Sequence, residues 1–532
     1  MPVNSEHPTL TEILPSWEIV TDHVIGSRAV KGKREVYLPR TTAHTNKVEL
    51  YENYLLRALY IPVTKRTKLA FSGLVFHREP TIEGITDELM ADVTLEGRPM
   101  LGFLRDVFNA VLSPGRAGIL IDVAPEGVAP TPARPYMRLY AGGTLLNWQE
   151  KAVGSAGFGQ AVGVGEFGAL RLGEGAKIAT QIRLLESVDI DDPTDPWVTV
   201  AIPQVRVIDL MLLEGEGQIG QIHTLFQQKR NKDGQVERDV WVQVGDQIIP
   251  RRRAKVIPLI PFVCINQQAV GFKVEDPQLL GVAEINGSHY RTSADLENAR
   301  FTLGHPQPWA TGVTTSDTIL AGAGMWTMES VDAKFGVLQV ANEFASLENA
   351  MREKEEAMAS EGARLLSRPA GAPERTATEA TLDVVAERSV IATMADTTSE
   401  GMTEAATILQ WWFEGIGDLA TVRERVEISL DTDFETGKMD PDKALKWAQL
   451  HVMNQISRPV LAYQLRRGAV YPPGHTEEME LGLLEEEAPE GPMITQNDTA
   501  GASSGPGEQE DEDPDEQEDE DQDEQEDRGE DG

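Results

Sequence analysis

Apolar residues change their spacing along the chain, and each spacing predicts a different kind of element. Over residues 47–68 they recur on one helical face until Pro62 interrupts the pattern. Short apolar runs with turn residues between them predict strands over 116–140, and strand-like segments dominate 178–265. After Pro277 the spacing becomes helical again. The pattern therefore predicts an α+β protein.

Four helical stretches follow Pro277, and two of them begin with recognisable caps. Thr376 and Glu379 form a capping box, and Asp440 is an N-cap followed by Pro441 at the first helical position. The third stretch is rich in alanine, which permits close approach of its neighbours. The four stretches span 277–303, 341–366, 376–417 and 441–456. The second has a narrow apolar seam that predicts packing on another helix, formed by Phe344, Leu347, Met351, Met358 and Leu365.

Three segments lack a regular pattern. The first 45 residues are mixed in character and interrupted by proline, which predicts an N-terminal arm. Residues 154–175 contain eight glycines and predict a flexible excursion. From 485 to 532 the chain is rich in Gly, Ser, Asp, Glu and Gln, and such a segment cannot bury enough apolar surface to fold alone. We therefore expect a disordered C-terminal tail.

Charge is concentrated at the C-terminal end. The chain has 86 acidic and 48 basic residues, a net charge of −38. Residues 508–532 hold 17 of the acids and one base, Arg528, so the rest of the chain carries −22. This polyacidic tail could mimic nucleic acid, bind a basic partner or repel packed DNA, and its simplest role is to keep the protein in solution.

Composition and motifs exclude several classes of protein. No apolar run reaches the ~18 residues of a membrane span, and the N-terminal residues lack a signal-peptide pattern. A lone cysteine, Cys264, excludes a disulfide framework, predicts a reducing compartment and is expected to be a small core residue. No Gly-Lys-Ser/Thr triplet of a P-loop occurs. The sequence predicts no catalytic, cofactor-binding or metal-binding residue.

One glycine motif has a familiar spacing but the wrong surroundings. Gly163, Gly165 and Gly168 match the dinucleotide-binding fingerprint, which requires a strand before it and a helix after it. The preceding residues are glycine-rich, and Gly173 and Gly175 interrupt any helix that follows. We expect a flexible loop there.

The chain holds a single dense basic run, Arg251, Arg252, Arg253 and Lys255. The run could contact a phosphate backbone or an acidic partner. It could equally be a solvated turn before the apolar strand expected over Val256–Ile265.

An ordered set of short motifs extends over residues 45–470. Its members are Tyr51-x-x-Tyr54 with Ala58-x-Tyr60, Gly73-x-Val75-Phe76-x-Arg78-x-Pro80, Gly115–Asp122, Arg134-Pro135-Tyr136 and Asn147-Trp148, and then Ile257–Val263, His289–Asn298, Gly304-His305-Pro306, Gly312, Gly362–Leu366 and Thr376–Ala380. In this order the set resembles the portal, or head-to-tail connector, proteins of tailed bacteriophages, in a branch long known only as a domain of unknown function.

The resemblance implies a fold of wing, stem, clip and crown, assembled as a homo-oligomeric ring of twelve copies around a channel at one capsid vertex. Double-stranded DNA would pass through the channel during packaging and ejection. The implied partners are the terminase, a head–tail adaptor, and the major capsid and scaffold proteins, with no membrane and no cofactor. The implied location is the virion, with assembly in the host cytoplasm, and ATP hydrolysis would belong to the separate terminase rather than to this chain.

By analogy of order, the resemblance divides the chain into seven regions. They are an N-terminal arm (1–45), an α/β wing that includes the Gly-rich insert (46–177), a β-rich clip (178–275), a stem helix (276–304), a wing strand with a candidate tunnel loop (305–340), a helical wing and crown region (341–484) and the polyacidic tail (485–532). Within the loop Thr314–Trp326 the candidate channel residues are Thr314, Thr315, Ser316, Asp317, Thr318, Gly322 and Gly324, and the alternative tunnel loop is Ser367–Arg375.

The acidic composition agrees with such a channel. Each phosphate that a protein neutralises adds affinity, so a pore that moves duplex DNA quickly should not bind it.

Two alternatives stay open. One is a nucleic-acid-processing metalloenzyme that uses carboxylates, and the other is a different virion structural protein, such as a head–tail adaptor or a scaffold-associated protein. The candidate carboxylates are Asp189, Asp191 and Asp192, and Asp431, Asp433 and Glu435.

Overall fold

The computed structural model combines helices with antiparallel sheets, which confirms the α+β class. It describes residues 3–41, 47–123, 133–152, 177–191, 197–213, 217–230, 236–304, 307–311, 334–338, 344–364, 389–432, 434, 441–453, 455–457, 461 and 465. The chain forms two units, 1–434 and 435–532. None of the described helices is long and apolar enough to cross a bilayer.

The described helices and strands are as follows. The helices are α1 (Pro8–Ile25), α2 (Ser27–Gly32), α3 (Val48–Arg57), α4 (Val63–Val75), α5 (Asp87–Ala91), α6 (Met100–Leu112), α7 (Leu280–Gly304), α8 (Ala345–Arg364), α9 (Val390–Glu414), α10 (Leu419–Arg423) and, in the second unit, α11 (Pro441–Val452). The strands are β1 (Thr81–Glu83), β2 (Arg116–Val123), β3 (Pro135–Ala141), β4 (Leu145–Ala152), β5 (Lys177–Asp191), β6 (Thr199–Leu212), β7 (Ile219–Arg230), β8 (Val236–Gln243), β9 (Arg251–Arg252), β10 (Lys255–Val256), β11 (Phe262–Asn266), β12 (Gln307–Thr311), β13 (Lys334–Leu338) and β14 (Glu427–Ser429).

Two antiparallel sheets build the first unit. Strands β4 to β8 form a five-stranded meander in chain order, and a three-stranded sheet has the order β11-β2-β3. In the smaller sheet Gly118 of β2 lies between Cys264 of β11 and Tyr140 of β3. Three short pairs complete the strand inventory of the described residues, namely β1 with β14, β9 with β10 and β12 with β13.

The three-stranded sheet is buried on both faces, which explains the continuous apolar run of β2. Ile119 and Ile121 face a core that includes residues of α6 and α9. Leu120 points the other way and joins a second core with residues of the five-stranded sheet. The central strand therefore links the helical layer to the larger sheet.

Helix α9 packs closely on strand β11, as its small residues predict. Ala395 and Ala405 are fully buried, and a Cβ atom on Gly401 would lie 2.4 Å from Cγ1 of Ile265. Ser389 caps the helix, since its Oγ accepts a hydrogen bond from the backbone N–H of Ala392 at 3.1 Å. The predicted capping box at 376–379 lies outside the described residues.

The N-terminal segment differs from the expected arm. Residues 8–32 form α1 and α2, and Leu10, Trp17 and Val20 are buried against neighbouring elements. Pro8 occupies the first turn of α1, where a proline is tolerated, and Pro15 lies inside the helix. Tertiary packing of the apolar face of α1 therefore outweighs the proline signal that suggested an irregular segment.

Helix α7 occupies the place predicted for a long helix after Pro277, and α1, α3, α4 and α8 contact it. Along α8 the predicted seam packs as expected where it is described, because Met358 is only 2% exposed and Leu347 and Met351 are half-buried. Leu365 lies outside the described residues, as does the predicted cap Asp440.

Candidate functional site

Most residues of the predicted channel lie outside the described part of the chain. These are the candidate tunnel-loop residues Thr314, Thr315, Ser316, Asp317, Thr318, Gly322 and Gly324, the alternative loop 367–375, the motif of Gly163, Gly165 and Gly168, and the polyacidic tail. The basic run at 251–255 and most of the elements around the sheets are described.

The basic run forms a hairpin of β9 and β10. Its two turn residues, Arg253 and Ala254, have φ angles of 45° and 68°, which matches a two-residue turn with both central residues in the left-handed region. The expected continuous strand over Val256–Ile265 is wrong, because Pro258 and Pro261 separate β10 from β11.

Arg252 is a structural residue of this hairpin. Its guanidinium donates to the backbone oxygens of Trp411 at 2.9 Å, Ile416 at 2.9 Å and Gly417 at 3.3 Å. The guanidinium also lies 4.0 Å from the centre of the Trp411 ring. The carbonyls of Ile416 and Gly417 follow the end of α9. The carbonyl of Trp411 lies in its last turn and also accepts from the N–H of Gly415, so Arg252 binds and partly neutralises the C-terminal end of that helix.

A buried network of charged side chains joins the two sheets. Glu186 of β5 accepts hydrogen bonds from Arg206 at 2.8 Å and Gln204 at 2.8 Å, and also from the hydroxyl of Tyr140. On its other side Arg206 donates to Asp122 at 3.0 Å and to Nδ1 of His223 at 3.2 Å. Asp122 and Tyr140 belong to the smaller sheet and the remaining members to the larger one.

The network lowers the pKa values of both Glu186 and His223, for different reasons. Burial alone would raise the pKa of Glu186, but the charges of Arg206 and Arg138 outweigh burial and hold the pKa below its usual value. Burial is the main reason that the pKa of His223 falls to about 4. The charge of Asp122 raises this pKa, and the charge of Arg206 lowers it. The histidine is therefore neutral at pH 7, and the carboxylate is ionised.

No motif in the sequence indicates this network. Glu186 and Arg206 lie in long strands that also contain other polar residues, so neither stands out in the sequence. The network could be found from polar residues at the inward positions of neighbouring strands. These positions can be recognised only when the pairing of β5, β6 and β7 is known.

A second polar cluster fixes α7 to the connection between α3 and α4. The amide of Asn286 donates to the carbonyl of Ile61 at 2.9 Å, and its oxygen accepts from the hydroxyls of Tyr60 and Thr64 at 3.2 Å each. Asn286 is fully buried, so these bonds satisfy it where water is absent. The long helix is thus held at a fixed position against the N-terminal helices.

The carboxylates of the metalloenzyme hypothesis do not form a site among the described residues. Asp431 pairs with Arg78 at 3.0 Å, while Asp192, Asp433 and Glu435 lie outside the described residues. In the described part of the chain, no group of three His, Cys, Asp or Glu side chains is placed to hold a metal ion. Cys264 is a core residue as predicted, and burial raises the pKa of its thiol to about 11.

Comparison with known proteins gives a partial family match. The model of a family described as "Domain of unknown function (DUF4055)" matches residues 278–413, about a quarter of the chain. This region begins just before α7 and ends near the end of α9. No curated protein matches the chain significantly.

Among solved structures, the chain is distantly similar to components of gene transfer agent particles. One is a chain of the "Virion of native gene transfer agent (GTA) particle", with a TM-score of 0.33, 11% identity, and coverage of 82% of this chain and 99% of that chain. Another belongs to the "Neck of native GTA particle computed with C12 symmetry", with a TM-score of 0.32, 11% identity and the same coverage. A third, from the "Neck of empty GTA particle computed with C6 symmetry", has a TM-score of 0.30, 11% identity, and coverage of 76% and 90%.

Proposed function

We propose that this chain is a structural protein of a tailed-phage virion, and specifically the portal that forms a ring of twelve copies at one capsid vertex. The observation that carries the proposal is the ordered set of motifs over residues 45–470. Its described members lie on a fold in which a β-rich region, 177–266, is followed by the 25-residue helix α7. At 1.5 Å per residue that helix is about 37 Å long, a length suited to a stem.

In this proposal, the β-rich region is the clip, which docks the terminase during packaging and the head–tail adaptor afterwards. The helices after residue 341 belong to the wing and crown, where capsid and scaffold proteins bind. The acidic body repels the phosphates of passing DNA, and the fields of twelve copies add together. The chain performs no catalysis of its own, and the terminase hydrolyses ATP.

Electron microscopy of the purified full-length protein tests the proposal. We expect closed rings with a central bore wide enough for duplex DNA. Compact particles without a bore, together with a metal-dependent nuclease activity that Asp431→Ala abolishes, would instead establish the enzyme alternative.

A further inference from the structure

A cavity of about 300 Å³ lies where the β9–β10 hairpin meets the end of α9. The hairpin lines it with Arg252, Arg253 and Lys255, and the other lining includes Ile416 and Asp418. Because Arg252 is bound to backbone carbonyls, Arg253 and Lys255 are the cations of the cavity that can meet a ligand.

The Arg253 side chain is held against the backbone beyond α9. Gly415 has a φ of 67°, and a Cβ atom there would lie 2.3 Å from Nε of Arg253. Both Arg253 and Lys255 are exposed, and no carboxylate of the described residues forms an ion pair with either of them. The cavity therefore presents two positive charges to solvent, and that of Arg253 is held beside Gly415.

The other lining residues decide which kind of anion fits. Asp418 disfavours a run of closely spaced phosphates more than a single carboxylate placed between the two cations, and Ile416 is 67% exposed and offers an apolar contact. A polypeptide can present a carboxylate, an apolar side chain and a hydrogen-bond donor within a few residues. A protein segment matches this mixture better than a phosphodiester backbone does.

We propose that this cavity is a docking site for an acidic segment of a partner protein. A carboxylate of the segment pairs with Arg253 and Lys255, and a neighbouring apolar side chain packs on Ile416. The site stands on the geometry of the hairpin and α9, and it does not require the chain to be a portal.

Fluorescence anisotropy with the full-length protein tests the site. The probes are labelled peptides that each carry two glutamates and one leucine in different orders, with glutamine versions as controls. We expect at least one acidic peptide to bind and its glutamine version not to bind. The variant Arg253→Gln/Lys255→Gln should weaken that binding about tenfold, since each exposed ion pair contributes modestly and both are removed.

A matched variant separates the site from general charge. Lys65→Gln/Arg66→Gln removes the same charge from exposed positions of α4 and should change the affinity less than about twofold. Three results would each overturn the proposal: no acidic peptide binds, the two double variants weaken binding equally, or a duplex oligonucleotide or inorganic phosphate displaces the peptide. Thermal denaturation of both variants verifies that they remain folded.

Discussion

The tautomer of His223 follows from its neighbours at the scale of single residues. A guanidinium can only donate, so Nδ1 of His223 must accept from Arg206. The ring proton therefore lies on Nε2, which donates to Oε1 of Gln221 at 3.0 Å. Protonation of Nδ1 would bring two cations into contact in a buried place, which adds to the effect of burial on the pKa of this histidine.

We expect the stability of the protein to fall as the pH is lowered through this histidine's range. The pKa of His223 is about 4 in the folded state against an ordinary 6.5, so the unfolded state binds more protons between these values. The free energy of unfolding should decrease by up to about 3 kcal/mol from pH 7 to pH 4. Glu186, whose folded pKa is lowered, adds a further loss below about pH 4.5.

Urea denaturation at a series of pH values measures this slope. The variant His223→Gln should flatten the curve between pH 4 and 6.5 while leaving the loss at lower pH. An unchanged slope in the variant would show that His223 does not titrate as described.

Arg206→Met should destabilise the protein strongly, because it leaves the buried Asp122 without a cation and the buried Glu186 with only Arg138, 3.4 Å away. We expect a loss of about 3–5 kcal/mol. Arg98→Met provides the control, since Arg98 pairs with Asp106 at 2.8 Å on the exposed surface and should cost less than about 1 kcal/mol. Equal losses in the two variants would contradict the role given to the network.

Neighbouring residues of one type show how far the sequence can predict such roles. Arg252 and Arg253 cannot be told apart in the sequence. Strand pairing places the Arg252 guanidinium on carbonyls at the end of α9, while the left-handed turn leaves Arg253 exposed beside Gly415. The role of Cys264 could be predicted because the run around it is apolar. The ion network could not, because it depends on the register of three separate strands.

At the scale of elements, helix α9 depends on a close approach to β11. Gly401→Ala places a methyl group in the space of the Ile265 side chain, so the helix must move although alanine favours helix formation. We expect a loss of about 1–3 kcal/mol. Gly73→Ala in α4 meets no atom within 4 Å and should stabilise the protein by up to about 1 kcal/mol. Chemical denaturation compares the two variants, and a stabilising Gly401→Ala would refute the close packing.

Elements with a strong period were predictable, and those decided by packing were not. The apolar run of β2 and the long helix after Pro277 could be located from spacing alone. Helix α1 was missed because its prolines suggested an arm, while its apolar face finds a partner only in the folded molecule. The apolar run over Val256–Ile265 led to the opposite error. It predicted one strand, but Pro258 and Pro261 divide the run between β10 and β11.

At the scale of the whole molecule, charge separates into a moderately acidic body and a polyacidic tail. If the tail faces the packed genome, deletion of residues 508–532, which changes the net charge from −38 to −22, should alter particle assembly or the DNA content per particle. Quantification of DNA in particles assembled with the truncated protein measures this. Unchanged particles would assign the tail a solubilising role only.

A portal chain assembles into a ring, and mass photometry of the purified protein measures the mass of that assembly. Twelve chains of 58.4 kDa predict a species of about 700 kDa. A protein that remains at the mass of one or two chains at every concentration, with or without scaffold protein, would contradict the portal assignment.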